Sequence, residues 1–240
     1  MRSFLIYMTL LCALLFGYFF FTSVDLFPGS FKKNVKMTVT MATPEGDVSF
    51  SAVREISNQS PYLKIDWPHG GNPAEVRGEA VVVDLGARGV VFARINKNGE
   101  EGRFYKAFPP INGHPQSNEA MNAYDKLHVG KKAILAPDYW PPFVMFTDIA
   151  DPKTVTLVRG YVLNAATQKE GLIDRFEELL GRGVQLKSIT LEITDEPVTL
   201  GLVDRYLTSE FWDEFNSWWI GADWRLKTIY SRYFTEIKAH

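Results

Sequence analysis

Three features of the chain predict a mainly β protein: a sandwich or barrel-like body with a few helices. Apolar and polar residues alternate with a period of two from Val35 to Met41 and again from Val184 to Ile193, the mark of half-buried strands. Short runs of Val, Phe and Ile recur between those stretches, punctuated by Gly, Pro, Asn and Asp. The two ends read differently. Eighteen uncharged residues stand near the start, and an aromatic, helix-periodic tail closes the chain.

The uncharged run is Phe4 to Phe21. About twenty apolar residues cross a bilayer core as a helix, so residues 1–24 read as one N-terminal transmembrane anchor and 25–33 as its tether. A cleaved signal peptide is the rival reading. It would have a shorter apolar core and a small-residue cleavage site, whereas this run ends in Phe19, Phe20 and Phe21 followed by Thr22-Ser23-Val24-Asp25. A lipoprotein reading through Cys12 fails because Leu11 precedes it and apolar residues continue past it. Tyr18 to Phe21 suit an aromatic interfacial belt. Arg2 lies before the run, and Lys32, Lys33 and Lys36 lie well after it. The expected location is a bacterial inner membrane, N-terminus inside, with the bulk of the chain periplasmic.

The remaining residues number about 205, enough for one large domain or two small ones. Apolar residues make up 46% and charged residues 22%, an ordinary globular balance, and the net charge of −2 argues against a nucleic-acid partner. Cys12 is the only cysteine, which excludes disulfides, zinc–thiolate sites and thiol catalysis from the body.

Residues 34–200 form the expected β-rich periplasmic domain. Val35, Met37, Val39 and Met41 make a first strand, Pro44-Glu45-Gly46-Asp47 a turn, and Val48 to Ile56 the returning strand of a hairpin. Glu79 to Leu85 is apolar at its centre, as in a strand buried on both faces. Gly86 to Gly89 turns the chain into Val90 to Ile95, and Asn98-Gly99 reads as a further hairpin turn. Prolines break the pattern over 104–142, which reads as an irregular insertion with one short helix at Asn118 to Leu127. Strands resume at Phe143 to Ile149 and Thr154 to Val158 across an Asp151-Pro152 turn. Gly171 to Leu180 reads as a helix, and Val184 to Thr194 as a strand with a bulge at Lys187-Ser188.

The tail, 201–240, is expected to be helical and amphipathic. Ten aromatic side chains fall between Tyr206 and His240, four of the six tryptophans among them. Phe211, Trp212, Phe215, Trp218 and Trp219 make one helical stripe ending near Gly221. Leu226, Ile229, Tyr230, Tyr233, Phe234 and Ile237 make a second, flanked by basic residues.

Three blocks carry a resemblance: Arg77 to Leu85 (RGEAVVVDL), Phe143 to Val155 (with FTDIADPKTV at its end) and Val184 to Thr199 (VQLKSITLEITDEPVT). In them the chain resembles a family of uncharacterised exported or membrane-anchored proteobacterial proteins. The likeness spans about residues 35–200 and leaves out both the anchor and the tail. It implies a bacterial envelope location and one continuous body, and it transfers no activity, cofactor or site residue.

No catalytic signature emerges. Asp84, Asp148, Asp151, Asp195 and Glu196 stand at strand ends, where brought together they could hold Ca²⁺ or act as an acid/base pair. Asp148, Asp151 and Asp195 are the weak metal candidates, since strand-end Asp more often accepts backbone N–H bonds in turns. His69, His114, His128 and His240 have no metal-ligand spacing, and no serine elbow or phosphate loop occurs. The aromatic stripe Phe211, Trp212, Phe215, Trp218 and Trp219 is the strongest functional signal. Its bland reading is packing on the protein's own core, and its functional reading is docking on a partner, with bilayer contact as a third use. The expectation is therefore a membrane-anchored accessory or interaction subunit of a membrane complex, without a cofactor, contacting inner-membrane lipid through residues 4–21. The alternative is a periplasmic enzyme or a ligand- or Ca²⁺-binding domain with a site built from loops 104–142 and the strand-end carboxylates.

Overall fold

A computed structural model describes residues 8, 11–18, 27–61, 74–95, 97–110, 113–164, 169–221 and 238–239. Residues 11–18 form helix α1. The strands are β1 (Ser30–Thr43), β2 (Gly46–Gln59), β3 (Glu75–Glu79), β4 (Val81–Asp84), β5 (Val90–Ala93), β6 (Lys132–Leu135), β7 (Phe143–Phe146), β8 (Val155–Asn164), β9 (Lys169–Asp174), β10 (Gln185–Thr194) and β11 (Lys238–Ala239). The remaining helices are α2 (Lys97–Ala107), α3 (Asn118–Asp125), α4 (Phe176–Leu180) and α5 (Ser209–Gly221). The result is mainly β: two antiparallel sheets with a few helices.

The first sheet has the order β11-β3-β2-β1-β10-β6 and the second β4-β5-β7-β8-β9. The long β1–β2 hairpin runs in unbroken register from Ser30↔Gln59 to Thr43↔Gly46. Gly46, with φ of 126°, supplies the left-handed backbone that closes its turn. On β1, Val35, Met37, Val39 and Met41 point inward and the polar residues between them point out, as the alternation requires. The register against β10 shifts between Thr40↔Ser188 and Met41↔Leu186, leaving Lys187 as the bulge.

Strands β4, β5 and β7 of the second sheet are covered on both faces. Val81, Val83, Val91, Ala93, Phe143 and Met145 face the first sheet and join its inward residues in the main core. Ala80, Val82, Phe92, Val144 and Phe146 face the other way and meet Val203, Leu207, Phe211 and Phe215 of the C-terminal segment. That double burial is why these strands are continuous apolar runs, whereas the first sheet, with one solvated face, alternates. Val82, Phe92, Phe146, Ile189 and Leu191, the residues in the least polar strand windows, are all buried.

Several sequence expectations change. Glu79 to Leu85 is not one strand: β3 belongs to the first sheet and β4 to the second, and the buried Ala80 is the corner between them. Asn98-Gly99 is not a hairpin turn but lies in the first turn of α2. The helix wins because it buries Phe104, Tyr105 and Glu100, and the Arg103 guanidinium lies over Gly99, 2.8 Å from where a Cβ would sit. Within 104–142, read as irregular, stand the end of α2, the expected short helix as α3 with Ser117 at its N-cap, and β6 on the edge of the first sheet. Phe104, Phe108, Met121, Tyr124 and Leu135 of this segment lie in the main core. Gly171 to Leu180 divides into β9, paired Tyr161↔Leu172 with β8, and the short α4, which buries Phe176 and Leu180 one turn apart.

Phe146 stacks edge-on against Phe92 and Phe211, at 5.9 Å and 5.1 Å between ring centres. Phe146→Ala should destabilise the body by about 3–5 kcal/mol in chemical unfolding. A change below about 1 kcal/mol would mean that this ring does not fill the second core.

Candidate functional site

Helix α5 follows a segment pinned to the second sheet. The buried Glu79 carboxylate accepts the backbone N–H of Gly201 at 2.5 Å through Oε1, and those of Leu202 and Val203 at 2.9 and 3.0 Å through Oε2. Tyr206 donates its hydroxyl to Asp84 Oδ2 at 2.7 Å, an acceptor that raises the phenol's pKa. Thr208 then begins the helix, and its hydroxyl, bonded to Glu210, holds that carboxyl below its ordinary value.

Successive helical residues advance by about 100°, so Phe211 and Phe215 share a face and both are buried on the sheet. Their neighbours form a chain of ring contacts: Phe211–Trp212 at 5.3 Å, Trp212–Phe215 at 5.9 Å and Phe215–Trp218 at 6.0 Å. Trp212 flanks the buried stripe and Trp218 extends it towards the helix end, both half-buried. Asp213, Glu214, Asn216 and Ser217 are exposed. The stripe expected to meet a partner is therefore divided. Phe211 and Phe215 belong to the protein's own core, because Val82, Phe92, Val144 and Phe146 would otherwise face water. Trp212 and Trp218 remain partly accessible, and the side chain of Trp219, like the second stripe from Leu226 to Ile237, lies outside the described residues.

The strand-end carboxylates do not converge. Asp148 accepts the N–H of Ala150 and Asp151 that of Lys153, each closing its own turn. Asp84 accepts from Gly86 and Tyr206, and Glu196 pairs with Lys36 at 2.7 Å. Asp195 is exposed. Among the described residues no group of three or more His, Cys, Asp or Glu could hold a metal ion. His114 and His128 are exposed, while His69 and His240 lie outside the described residues.

The sequence reading missed a buried charge network. Arg54, 1% exposed, sits at an inward position of β2 between Ala52 and Ile56. Its guanidinium meets Glu100 Oε2 at 2.7 Å and donates to the carbonyls of Glu79 and Ala93. It thereby ties β2 to the β3–β4 corner and to β5. Gly78, with φ of 138°, lets the corner approach, since a Cβ there would stand 3.2 Å from the Arg54 backbone. Glu100 Oε1 meets Arg103 at 2.8 Å, and Arg103 donates onward to the Tyr139 carbonyl. Beside it, Glu101 accepts from Asn58, Tyr105 and Gln116 at 2.6–2.7 Å. Removing one partner of such a buried pair costs about 3–5 kcal/mol, so the network acts as a structural tie. Its one signal in the sequence is an arginine at core parity in a strand.

Open grooves lie among the described residues. One, about 510 Å³, is lined by Asp174, Arg175, Phe176, Glu177, Glu178 and the start of β10. Its charges are internally matched: Arg175 grips Glu178 with two bonds, and Glu177 accepts from Gly183 and Gln185. Another, about 380 Å³, lies between Val90, Phe146, Thr147 and Ile149 and the Arg205-Tyr206 turn, and offers apolar walls without a nucleophile. Neither is built from 104–142.

Fold and surface together define a two-sheet antiparallel body whose second sheet is sealed by a C-terminal aromatic helix. No family model, no curated protein and no solved structure matches the chain.

Tyr124 tests the polar cluster. Its ring stacks on Tyr105 at 5.2 Å, its hydroxyl has no hydrogen-bond partner among the described residues, and burial, with Glu101 nearby, pushes its pKa up to about 12. Below pH ~10 the phenol is neutral folded or unfolded; above it the unfolded chain ionises first, so stability falls as pH rises towards 12. Tyr124→Phe should leave the pH 7 melting temperature nearly unchanged and reduce that alkaline fall. An equally steep fall in the variant would contradict the burial of this hydroxyl.

Proposed function

We propose that this protein is a single-pass, inner-membrane-anchored periplasmic protein that serves as an accessory or interaction subunit of a membrane complex. The observation that carries the reading is exposed apolar surface on α1 together with a partly accessible tryptophan flank on α5. In α1, Leu14 is 70% and Phe16 71% exposed, with Leu11, Leu15 and Tyr18 alongside. Tryptophan at a surface is a common anchor of protein interfaces, and Trp212 and Trp218 supply it on the body itself.

Among the described residues no helix is long and apolar enough to cross a membrane, and most of the flanks of Phe4–Phe21 fall outside them. The anchor therefore rests on the sequence, where eighteen uncharged residues without a cleavage site match the bilayer core. The family-like blocks fall on the β3–β4 corner, on β7 with its following turn, and on β10, all parts of the frame. They support a shared body and leave the interaction to the residues outside them.

The anchor is checked by intact mass and fractionation: the mature chain should keep Met1 or Arg2 and sediment with membranes. A mature N-terminus near residue 24 would contradict it. Leu14→Arg should cost about 2.5–3.5 kcal/mol of insertion free energy if it lies near mid-span.

Docking is checked by paired variants. Trp212→Gln with Trp218→Gln should abolish co-purification of a partner in mild detergent, since a few aromatic anchors hold most interface energy, while the full chain keeps a cooperative melt that is lowered by the lost ring contacts with Phe211 and Phe215. Phe215→Ala should instead lower stability by about 3–5 kcal/mol. A double tryptophan variant that unfolds, or that retains every partner, would remove the support for an interaction subunit.

A further inference from the structure

The anchor reading leaves open how the body sits against the bilayer, and the region after α3 bears on it. Residues 126–137 carry Lys126, Lys131 and Lys132 and no acid. Among these lysines stand two exposed aliphatic side chains: Val129, 57% exposed, and Ile134, 78% exposed on the edge strand β6. The backbone under them is fixed. Gly130 N–H donates to the Ile193 carbonyl at 2.8 Å, and Ile193 N–H donates to the Lys131 carbonyl at 2.9 Å. The neighbouring acids along the chain and the β10 ladder are Asp125, Glu192 and the exposed Asp195. Asp125 lies 3.9 Å from Lys33, and Glu192 is matched by Lys132 at 3.1 Å, leaving Lys126 and Lys131. Asp138 begins the next turn.

The chain also brings this patch close to the anchor. Five residues, 22–26, separate Phe21 from Phe27, and they reach at most about 18 Å. Phe27 is itself 85% exposed, and its carbonyl accepts from Asn118 at the start of α3. From there α3 spans eight residues, about 12 Å, and Lys33 Nζ donates to the Asp125 carbonyl at its far end. Lys126 caps that end. Exposed aliphatics among unmatched lysines, held within a short helix of a membrane tether, fit a surface of hydrocarbon edged with negative headgroups.

We propose that residues 126–134 rest on the bilayer and recognise anionic phospholipid headgroups through Lys126 and Lys131, with Val129 and Ile134 entering the interface. This rests on the anchor reading above. An acidic protein face would suit the lysines alone and would not need lipid.

The test uses the full-length chain carrying Cys12→Ser and Val129→Cys, labelled with a polarity-sensitive fluorophore and placed in nanodiscs. One set is phosphatidylcholine alone, and the other contains phosphatidylglycerol as well. A label at Val48→Cys, beside the hairpin turn, is the solvent reference. The expected result is apolar emission at position 129 only with phosphatidylglycerol, lost on adding salt to about 1 M, where screening falls to about 3 Å. Each lysine near an anionic surface favours contact about fivefold, so Lys126→Glu and Lys131→Glu together should reduce it by at least about twentyfold. Co-elution of the chain with the discs reads the anchor separately. Co-elution with solvent-like emission at 129, or equal contact with phosphatidylcholine alone, overturns the headgroup proposal and leaves the anchor standing. Failure to co-elute overturns both.

Discussion

The fold depends on one constraint: strands β4, β5 and β7 of the second sheet are apolar on both faces and need two covers. The first sheet supplies one through the inward residues of β1, β2 and β10. The other comes from residues 201–221, which return from the far end of the chain to cover Val82, Phe92, Val144 and Phe146. Without that return, a face of Val and Phe would lie in water, where each large side chain loses about 1.5–3 kcal/mol of burial. The C-terminal helix is thus a layer of the body. Glu79 locates it, because a buried carboxylate with three backbone donors fixes residues 201–203 above the sheet corner.

The same corner explains the buried charges. The chain passes from one sheet to the other within a single residue, Ala80. The Arg54 guanidinium donates to the carbonyls of Glu79 and Ala93 while its charge is matched by Glu100. Buried polar groups are tolerated where they are bonded, and an arginine offers five donors in one plane. Gly78 is required by the closeness of that passage.

Most of the frame was legible because side-chain parity reports burial. Val35 to Met41 alternate since the first sheet has a wet face, and Val81 to Val83 and Phe143 to Phe146 do not since β4 and β7 have none. Local turn chemistry misled where tertiary contacts outweighed it. Asn98-Gly99 favours a hairpin in isolation, yet Glu100, Arg103 and Phe104 hold the helix. Gly171 to Leu180 has helical spacing, yet its first half completes the edge of the second sheet. At the candidate site, the helical stripe was legible as a stripe. Its division into Phe211 and Phe215 inside and Trp212 and Trp218 half outside depends on where the sheet ends, which no spacing encodes. Nor does any spacing encode that Glu79 would receive the N–H groups of residues more than a hundred positions away.

The central claim is that residues 201–221 are part of the folded body and leave only their flank for a partner. Native-state hydrogen exchange on the full-length chain tests it most directly. The amides of Gly201, Leu202 and Val203, and those along α5 up to Phe215, should exchange as slowly as the amides of β7, through global unfolding. In Glu79→Gln the first three should exchange faster while β7 remains protected. Rapid exchange throughout 201–215 in the unmodified chain, with β7 protected, would contradict the account and make the aromatic helix a separate arm.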